Sequence, residues 1–118
     1  MPLITVTSSA TSPAQAEVDQ LLKELSARIA GHLGKPESYV MTAFNGGVPM
    51  TFAGNSDEPV ALLQVKSVGM LSPQTTAAIS ADLCPMIEER LGTPASRTYI
   101  EFMAVEGHLW GWNGRTFG

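Results

Sequence analysis

Two stretches of this chain repeat one another. Residues 34–44 read G-K-P-E-S-Y-V-M-T-A-F, and residues 92–102 read G-T-P-A-S-R-T-Y-I-E-F. Glycine, proline, serine and phenylalanine recur at the same places, 58 residues apart. Each stretch follows a helical pattern opened by Ser-Pro, at Ser12-Pro13 and at Ser72-Pro73. Each helical pattern follows a β-like run, Leu3 to Thr7 and Val60 to Val68. Each half therefore reads strand–helix–strand. Such a unit places its two strands parallel in one sheet, joined by a right-handed crossover. Two units predict an α+β two-layer fold: a four-stranded sheet with two helices on one face.

Local chemistry supports the parse. Val18, Leu21, Leu22, Leu25 and Ile29 recur at three- and four-residue steps, the stripe of an amphipathic helix. Ser12 can cap that helix, Pro13 fits its first turn and Gln15 completes a capping box. Gly31 or Gly34 can end it, and Pro36 cannot continue it. Ser72 and Pro73 open the second helix in the same way. Its expected apolar residues are Ala77, Ala81, Cys84, Ile87 and Leu91, with Gly92 and Pro94 as the stop. Pro85 removes a backbone donor inside that pattern, so a kink is expected near Ala81–Pro85. Residues 45–57 read as turns around a short extended piece, Pro49 to Ala53. The tail, residues 107–118, sets Trp110, Trp112 and Phe117 among glycines and predicts short strands against a neighbouring subunit.

A chain of 118 residues is most simply one domain, with pseudo-repeats at about 2–45 and 58–103. Hydrophobic residues make up 44% and charged residues 15%, thin surface charge that suggests burial against other subunits. The net charge of −4, with no basic run, makes nucleic acid and anionic membrane poor partners. A single cysteine, Cys84, excludes an internal disulfide and a cysteine-rich metal site, and reads as a structural thiol. No apolar stretch approaches the ~20 residues of a membrane span, and no signal-peptide pattern opens the chain. The expected address is the cytoplasm, with export by a route lacking a signal peptide left open. His32 and His108 stand alone and read as surface or capping residues.

The first residues, M-P-L-I, pose a chemical question. Methionine before a small residue is normally trimmed, and trimming converts the nitrogen of Pro2 from an amide into a secondary amine. An amine is a base and an amide is not. On these residues alone, Pro2 is simply the second residue of a strand.

The ordered set M-P-L-I, G-K-P at 34–36, E-P-V-A-L-L-Q-V-K-S-V-G at 58–69, E-E-R-L at 88–91, Y-I-E-F at 99–102 and G-W-N-G-R-T-F at 111–117 resembles the macrophage migration inhibitory factor family of the tautomerase superfamily. The similarity runs end to end. It implies a homotrimer with active sites at subunit interfaces and a keto–enol tautomerase acting on small aromatic α-keto acids such as phenylpyruvate, without metal or organic cofactor.

The resemblance also implies site residues. Pro2 becomes the catalytic acid and base. A free α-amine starts near 8, and an apolar pocket or nearby cations lower it toward the working range of a general base. Leu3, Ile4, Val40 and Phe117 are available as apolar surroundings. Lys35 matches the lysine of G-K-P and would hold a carboxylate by charge and hydrogen bonds. Val68 matches an aliphatic position whose backbone N–H meets the ligand, beside Gly69. Tyr99 matches an aromatic that reaches in from the adjacent subunit. Glu101 departs from the family, which often has an amide or arginine there. Its carboxylate would repel an anionic substrate unless protonated or paired, with Arg97, Arg115 or a neighbour's lysine available, and Lys66 is a further change of local charge. The stretch Val60-Ala61-Leu62-Leu63 lacks the C-x-x-C of some members, so thiol–disulfide activity is not expected. Two other readings remain: a cytokine-like or other protein-interaction module with vestigial activity, and a proline base turned to another acid substrate.

Overall fold

The computed structural model describes residues 1–11 and 13–118. Strand β1 (Leu3–Ser8) leads to helix α1 (Gln15–Leu33), and a 3₁₀ turn at Glu37–Tyr39 feeds β2 (Met41–Asn45). After a long loop the pattern repeats: β3 (Ala61–Val68), α2 (Pro73–Leu91), a 3₁₀ turn at Ala95–Arg97 and β4 (Thr98–Val105). The tail adds a 3₁₀ turn at Gly107–Leu109 and a hairpin of β5 (Gly111–Trp112) with β6 (Arg115–Thr116). The extended piece expected between Pro49 and Ala53 is reduced to a single bridge between Phe52 and Asn55.

The main sheet has the order β2-β1-β3-β4. β1 runs parallel to β2 and β3 parallel to β4, as a strand–helix–strand unit requires. The two units meet through β1 and β3, which are antiparallel with Leu3 opposite Lys66 and Thr7 opposite Leu62. Both helices cover one face. Ile4 and Val6 of β1 and Leu63 and Val65 of β3 are fully buried against Leu21, Leu25 and Ile29 of α1 and Ile79, Leu83 and Ile87 of α2. Each such side chain contributes about 1.5–3 kcal/mol of burial.

α1 follows its predicted stripe, but it starts at Gln15 behind Ala14, with no side-chain cap. Ser12, and with it the expected capping box, lies outside the described residues; the Gln15 side-chain amide donates forward to Asp19 Oδ1 (2.9 Å). α2 is capped as expected, Ser72 Oγ accepting from the Thr75 N–H (3.1 Å), and it runs unbroken through Pro85. Its buried face is Ile79, Leu83, Met86 and Ile87, whereas the expected Ala77 and Ala81 are exposed. Cys84 is half-buried and unpaired, and burial raises its thiol pKa. Both helices end on glycines in the left-handed region, Gly34 (φ 63°) and Gly92 (φ 71°), where a side chain would be strained.

On the helix side exposed to solvent, the two units are tied by charge. Arg28 bonds Asp82 (2.6 Å) and Glu24 (2.6 Å), Arg90 bonds Glu24 (2.5 Å), and His32 Nε2 lies 2.7 Å from Asp82. His32 is therefore half-buried in an inter-helix pair, whereas His108 is exposed beside Glu106.

Candidate active site

Pro2 is fully buried at the mouth of β1, and its carbonyl accepts from the Met41 N–H (3.0 Å). Parallel pairing of Leu3 with Met41 brings the 3₁₀ turn after G-K-P beside the start of the chain. There a cavity of roughly 220 Å³ opens between Met1, Pro2 and Leu3, the segment Ser38–Met41 and the tail residues Trp110–Trp112. Tyr39 and Trp112 meet edge to face at 5.5 Å, and Trp112 stacks on Phe117 at 6.0 Å, giving this cavity an aromatic wall. The tail folds back on its own chain to build it. The Phe117 N–H donates to the Gly107 carbonyl (3.1 Å), and a β-carbon on Gly107 would sit 2.6 Å from the Phe117 oxygen.

Lys35 follows the left-handed Gly34, and its backbone N–H donates to the Ala30 carbonyl (3.1 Å). The turn directs its ammonium across to the end of β3, where Nζ donates to Ser67 Oγ (3.1 Å) and, in a short bond, to the Val68 carbonyl. The same ammonium reaches the chain start. Burial, the Lys35 charge and a hydrogen bond from Lys35 lower the Met1 α-amine from 8.0 to about 6. An amine at this place is thus held near the range in which a base works at neutral pH.

Pro2, Lys35 and Val68 are brought together within one chain. At Val68 it is the carbonyl, not the N–H, that meets Lys35. Tyr99 and Glu101 are not part of this cluster. Tyr99 stands level with Leu62 and Thr7, which places it about 16 Å along the strands and about 10 Å across them from Pro2. It is 66% exposed on the sheet face opposite the helices. Glu101 is exposed on the same strand, and its Oε1 accepts from Gln64 Nε2 (2.9 Å), while Arg97 is engaged elsewhere. Of the expected apolar surroundings, Leu3 and Val40 line the cavity, Phe117 backs Trp112, and Ile4 faces the helix-side core.

Sequence reasoning missed Tyr39, Trp110 and Trp112 as walls of this cavity. The signal was weak: only the register of β1 on β2 places Tyr39 by Pro2, and only the fold-back of the tail brings the tryptophans. A larger concavity of roughly 470 Å³ between the start of α1 and the end of α2 gathers none of the candidate residues. Among the described residues no cluster of three His, Cys, Asp or Glu side chains is placed to hold a metal, and no helix is long and apolar enough to cross a membrane.

Two βαβ units sharing a mixed sheet, with the chain's first nitrogens enclosed beside a lysine, define an α+β protein of the tautomerase fold. The chain belongs to the macrophage migration inhibitory factor family: the sequence profile described as Macrophage migration inhibitory factor (MIF) matches residues 1–118. The chain is similar to the macrophage migration inhibitory factor homologue of Prochlorococcus marinus, whose crystal structure superposes with a TM-score of 0.90 at 50% identity, over 98% of this chain and 99% of that one. It is 40% identical over 117 residues to the Macrophage migration inhibitory factor homolog of Trichuris trichiura, covering 99% of this chain and 100% of that protein. It is 36% identical over 118 residues to the homolog of Brugia malayi, at full coverage of both.

Proposed function

We propose that this protein is a cofactor-independent keto–enol tautomerase of phenylpyruvate-type α-keto acids, with the Pro2 amine, freed by removal of Met1, as general acid and base. The observation that carries this reading is the setting of the chain start: an aromatic-walled cavity against Met1 and Pro2, and a Met1 α-amine that burial and Lys35 lower to about 6. The amine takes a proton from the carbon next to the substrate ketone. The C–H electron pair becomes the C=C bond of the enol, and the carbonyl π pair moves to oxygen, which takes a proton from water while the prolinium returns its own proton to water. In the reverse direction the prolinium returns its proton to carbon. Lys35 exchanges Ser67 and Val68 for the substrate carboxylate, a charge-assisted bond present throughout the reaction. The aryl group lies against Tyr39 and Trp112.

The working form is a homotrimer, in which a neighbouring copy covers the open sheet face. That face carries exposed Met41 (65%), Tyr99 (66%) and Met103 (46%), more apolar surface than a solvated sheet leaves bare. Tyr99 and Glu101 then enter the Pro2 site of the adjacent copy. Burial and the Lys35 charge lower the Met1 amine, and a Pro2 amine freed one residue further in, beside the same lysine, is expected to be lowered by the same two causes. Activity rises as pH climbs through that lowered value. The test is loss of phenylpyruvate enol, or its formation, by protein whose N-terminal mass shows Met1 removed. Rate enhancement that vanishes on N-acetylation of Pro2 supports the reading, and inactivity of the trimmed chain overturns it.

A further inference from the structure

Arg97 is buried to 7% exposure at the end of the 3₁₀ turn before β4, and its ion pair with the exposed Glu58 is loose, at 3.9 Å. Its donors instead fan into the 52–59 loop. Nε donates to the Pro59 carbonyl (3.1 Å), Nη1 to Phe52 (3.3 Å), and Nη2 to Asn55 (2.8 Å) and Glu58 (3.0 Å). The loop is wrapped around the guanidinium, and it accepts backbone strain to do so: Ala53, a residue with a β-carbon, sits in the left-handed region at φ 53°. The planar fork also lies 5.5 Å from the centroid of the Phe52 ring. Phe52 in turn meets Tyr99 edge to face, with centroids 5.2 Å apart and planes at 61°.

Tyr99 is two-thirds exposed, and this edge-to-face contact is the aromatic support given to its ring. Left to itself, an exposed tyrosine samples several rotamers, and fixing one costs entropy when a ligand binds. We infer that Arg97, through Phe52, is a positioning residue that presets the Tyr99 ring for aryl substrates, so that the 52–59 loop determines aryl selectivity. This rests on the proposed tautomerase activity and on the placing of Tyr99 in it. Lysine cannot substitute for Arg97, because one ammonium cannot serve carbonyls in this planar spread and does not stack on Phe52.

The experiment follows α-carbon deuterium exchange by NMR for phenylpyruvate and for the aliphatic ketoisocaproate, on the full trimmed chain. Phe52→Leu keeps an apolar side chain but removes the ring edge contact. It is expected to raise KM for phenylpyruvate roughly two- to tenfold, the range an aromatic pair contributes, with KM for ketoisocaproate and the pH–rate profile unmoved. Phe52→Tyr restores the contact and the wild-type KM. Arg97→Lys gives the same aryl-selective shift, and Phe52→Leu decides the matter if that variant does not fold. Equal losses on both substrates, or an unchanged aryl preference in Phe52→Leu, overturn the inference while the tautomerase reading stands. A wild-type chain inactive on both substrates overturns both.

Discussion

Gly34-Lys35-Pro36 and Gly92-Thr93-Pro94 occupy the same turn in the two halves of the molecule. In both, a left-handed glycine ends the helix, proline stops it from continuing, and a 3₁₀ turn delivers the chain to a strand. The side chains then diverge. Lys35 finds Ser67, the Val68 carbonyl and the chain's own amino end, whereas Thr93 is fully buried with no partner for its hydroxyl among the described residues. Three residues after each proline the contrast repeats: Tyr39 walls a cavity, and Arg97 is buried in a loop. The same divergence governs the strand starts. Pro2 and Val60 are equivalent and both buried, but Val60 carries an ordinary amide that donates to Ser9 Oγ (2.8 Å). One backbone frame thus supports a half that gathers the candidate site and a half whose matching residues are buried in turn and loop, and what differs is the neighbour that each turn meets.

The largest effect that can break this contrast is at the chain start. If only a Pro2 amine is placed to act as the base, chains that retain Met1 should lose about 10²–10⁴ in kcat/KM, the contribution of a general base, because the lowered Met1 amine stands one residue outward and Met1 itself lies against the cavity. Pro2→Ala, still an amine, should fall between. Intact and trimmed preparations compared by mass spectrometry and rate will decide; equal turnover per chain would mean that Pro2 is not the base.

Next comes the exchange of turn residues. Lys35→Thr gives the first half the second half's side chain and removes a charged hydrogen bond of about 1.5–3 kcal/mol. KM for phenylpyruvate should rise roughly 10- to 150-fold with kcat little changed. A collapse of kcat at constant KM would assign Lys35 to the chemistry instead. In the opposite half, Thr93→Val exchanges an unpartnered buried hydroxyl for a methyl of nearly the same shape and should stabilise the fold by about 1 kcal/mol in urea denaturation. A destabilised variant would show that the hydroxyl has a role the turn conceals.

Glu101 has Ala43 as its counterpart in the first half, so its charge belongs to the second half alone. Glu101→Asn keeps an acceptor for Gln64 and removes the like charge that the proposed trimer would turn toward an anionic substrate. A fall in KM of a few-fold, about 0.5–1 kcal/mol, is expected; an unchanged or higher KM would show that the Gln64 bond already quiets the carboxylate.

The smallest effect concerns the seam between the halves. Burial raises the Asp82 pKa, but the hydrogen bond from His32 and the charge and hydrogen bond of Arg28 outweigh it and hold it below the usual carboxylate value. A carboxyl lowered on folding contributes stability above its unfolded pKa of ~3.9, and loses it as pH falls through the lower folded value. Asp82→Asn should therefore cost about 0.5 kcal/mol near neutrality, discounted for partial exposure, and nothing once pH is below both values. Urea midpoints measured at both pH values will show whether the wild-type advantage disappears with acid.

Local rules made much of this molecule legible. The recurrence of G-x-P after each helix forced the same turn twice, and the four-residue spacing of Leu21, Leu25 and Ile29 marked the buried face of α1 correctly. Both depend on neighbours within a few residues, which a sequence displays directly. α2 is less legible because Ala77 and Ala81 share a four-residue spacing with the true core positions Ile79 and Leu83 and alanine suits either face; the alanines of α2 are exposed. The start of α1 at Ala14 carries no signature in the sequence, since alanine has no side-chain acceptor for the first-turn donors. Pro2, Lys35 and Val68 were reached through resemblance to a family, because nothing in their spacing along the chain makes them neighbours. Strand order, the antiparallel seam of β1 on β3, the tryptophan wall over Pro2 and the loop around Arg97 were decided only in three dimensions. Each joins residues tens of positions apart, and long-range pairing is chosen by which apolar faces can be buried together, a choice the linear order of residues does not encode position by position.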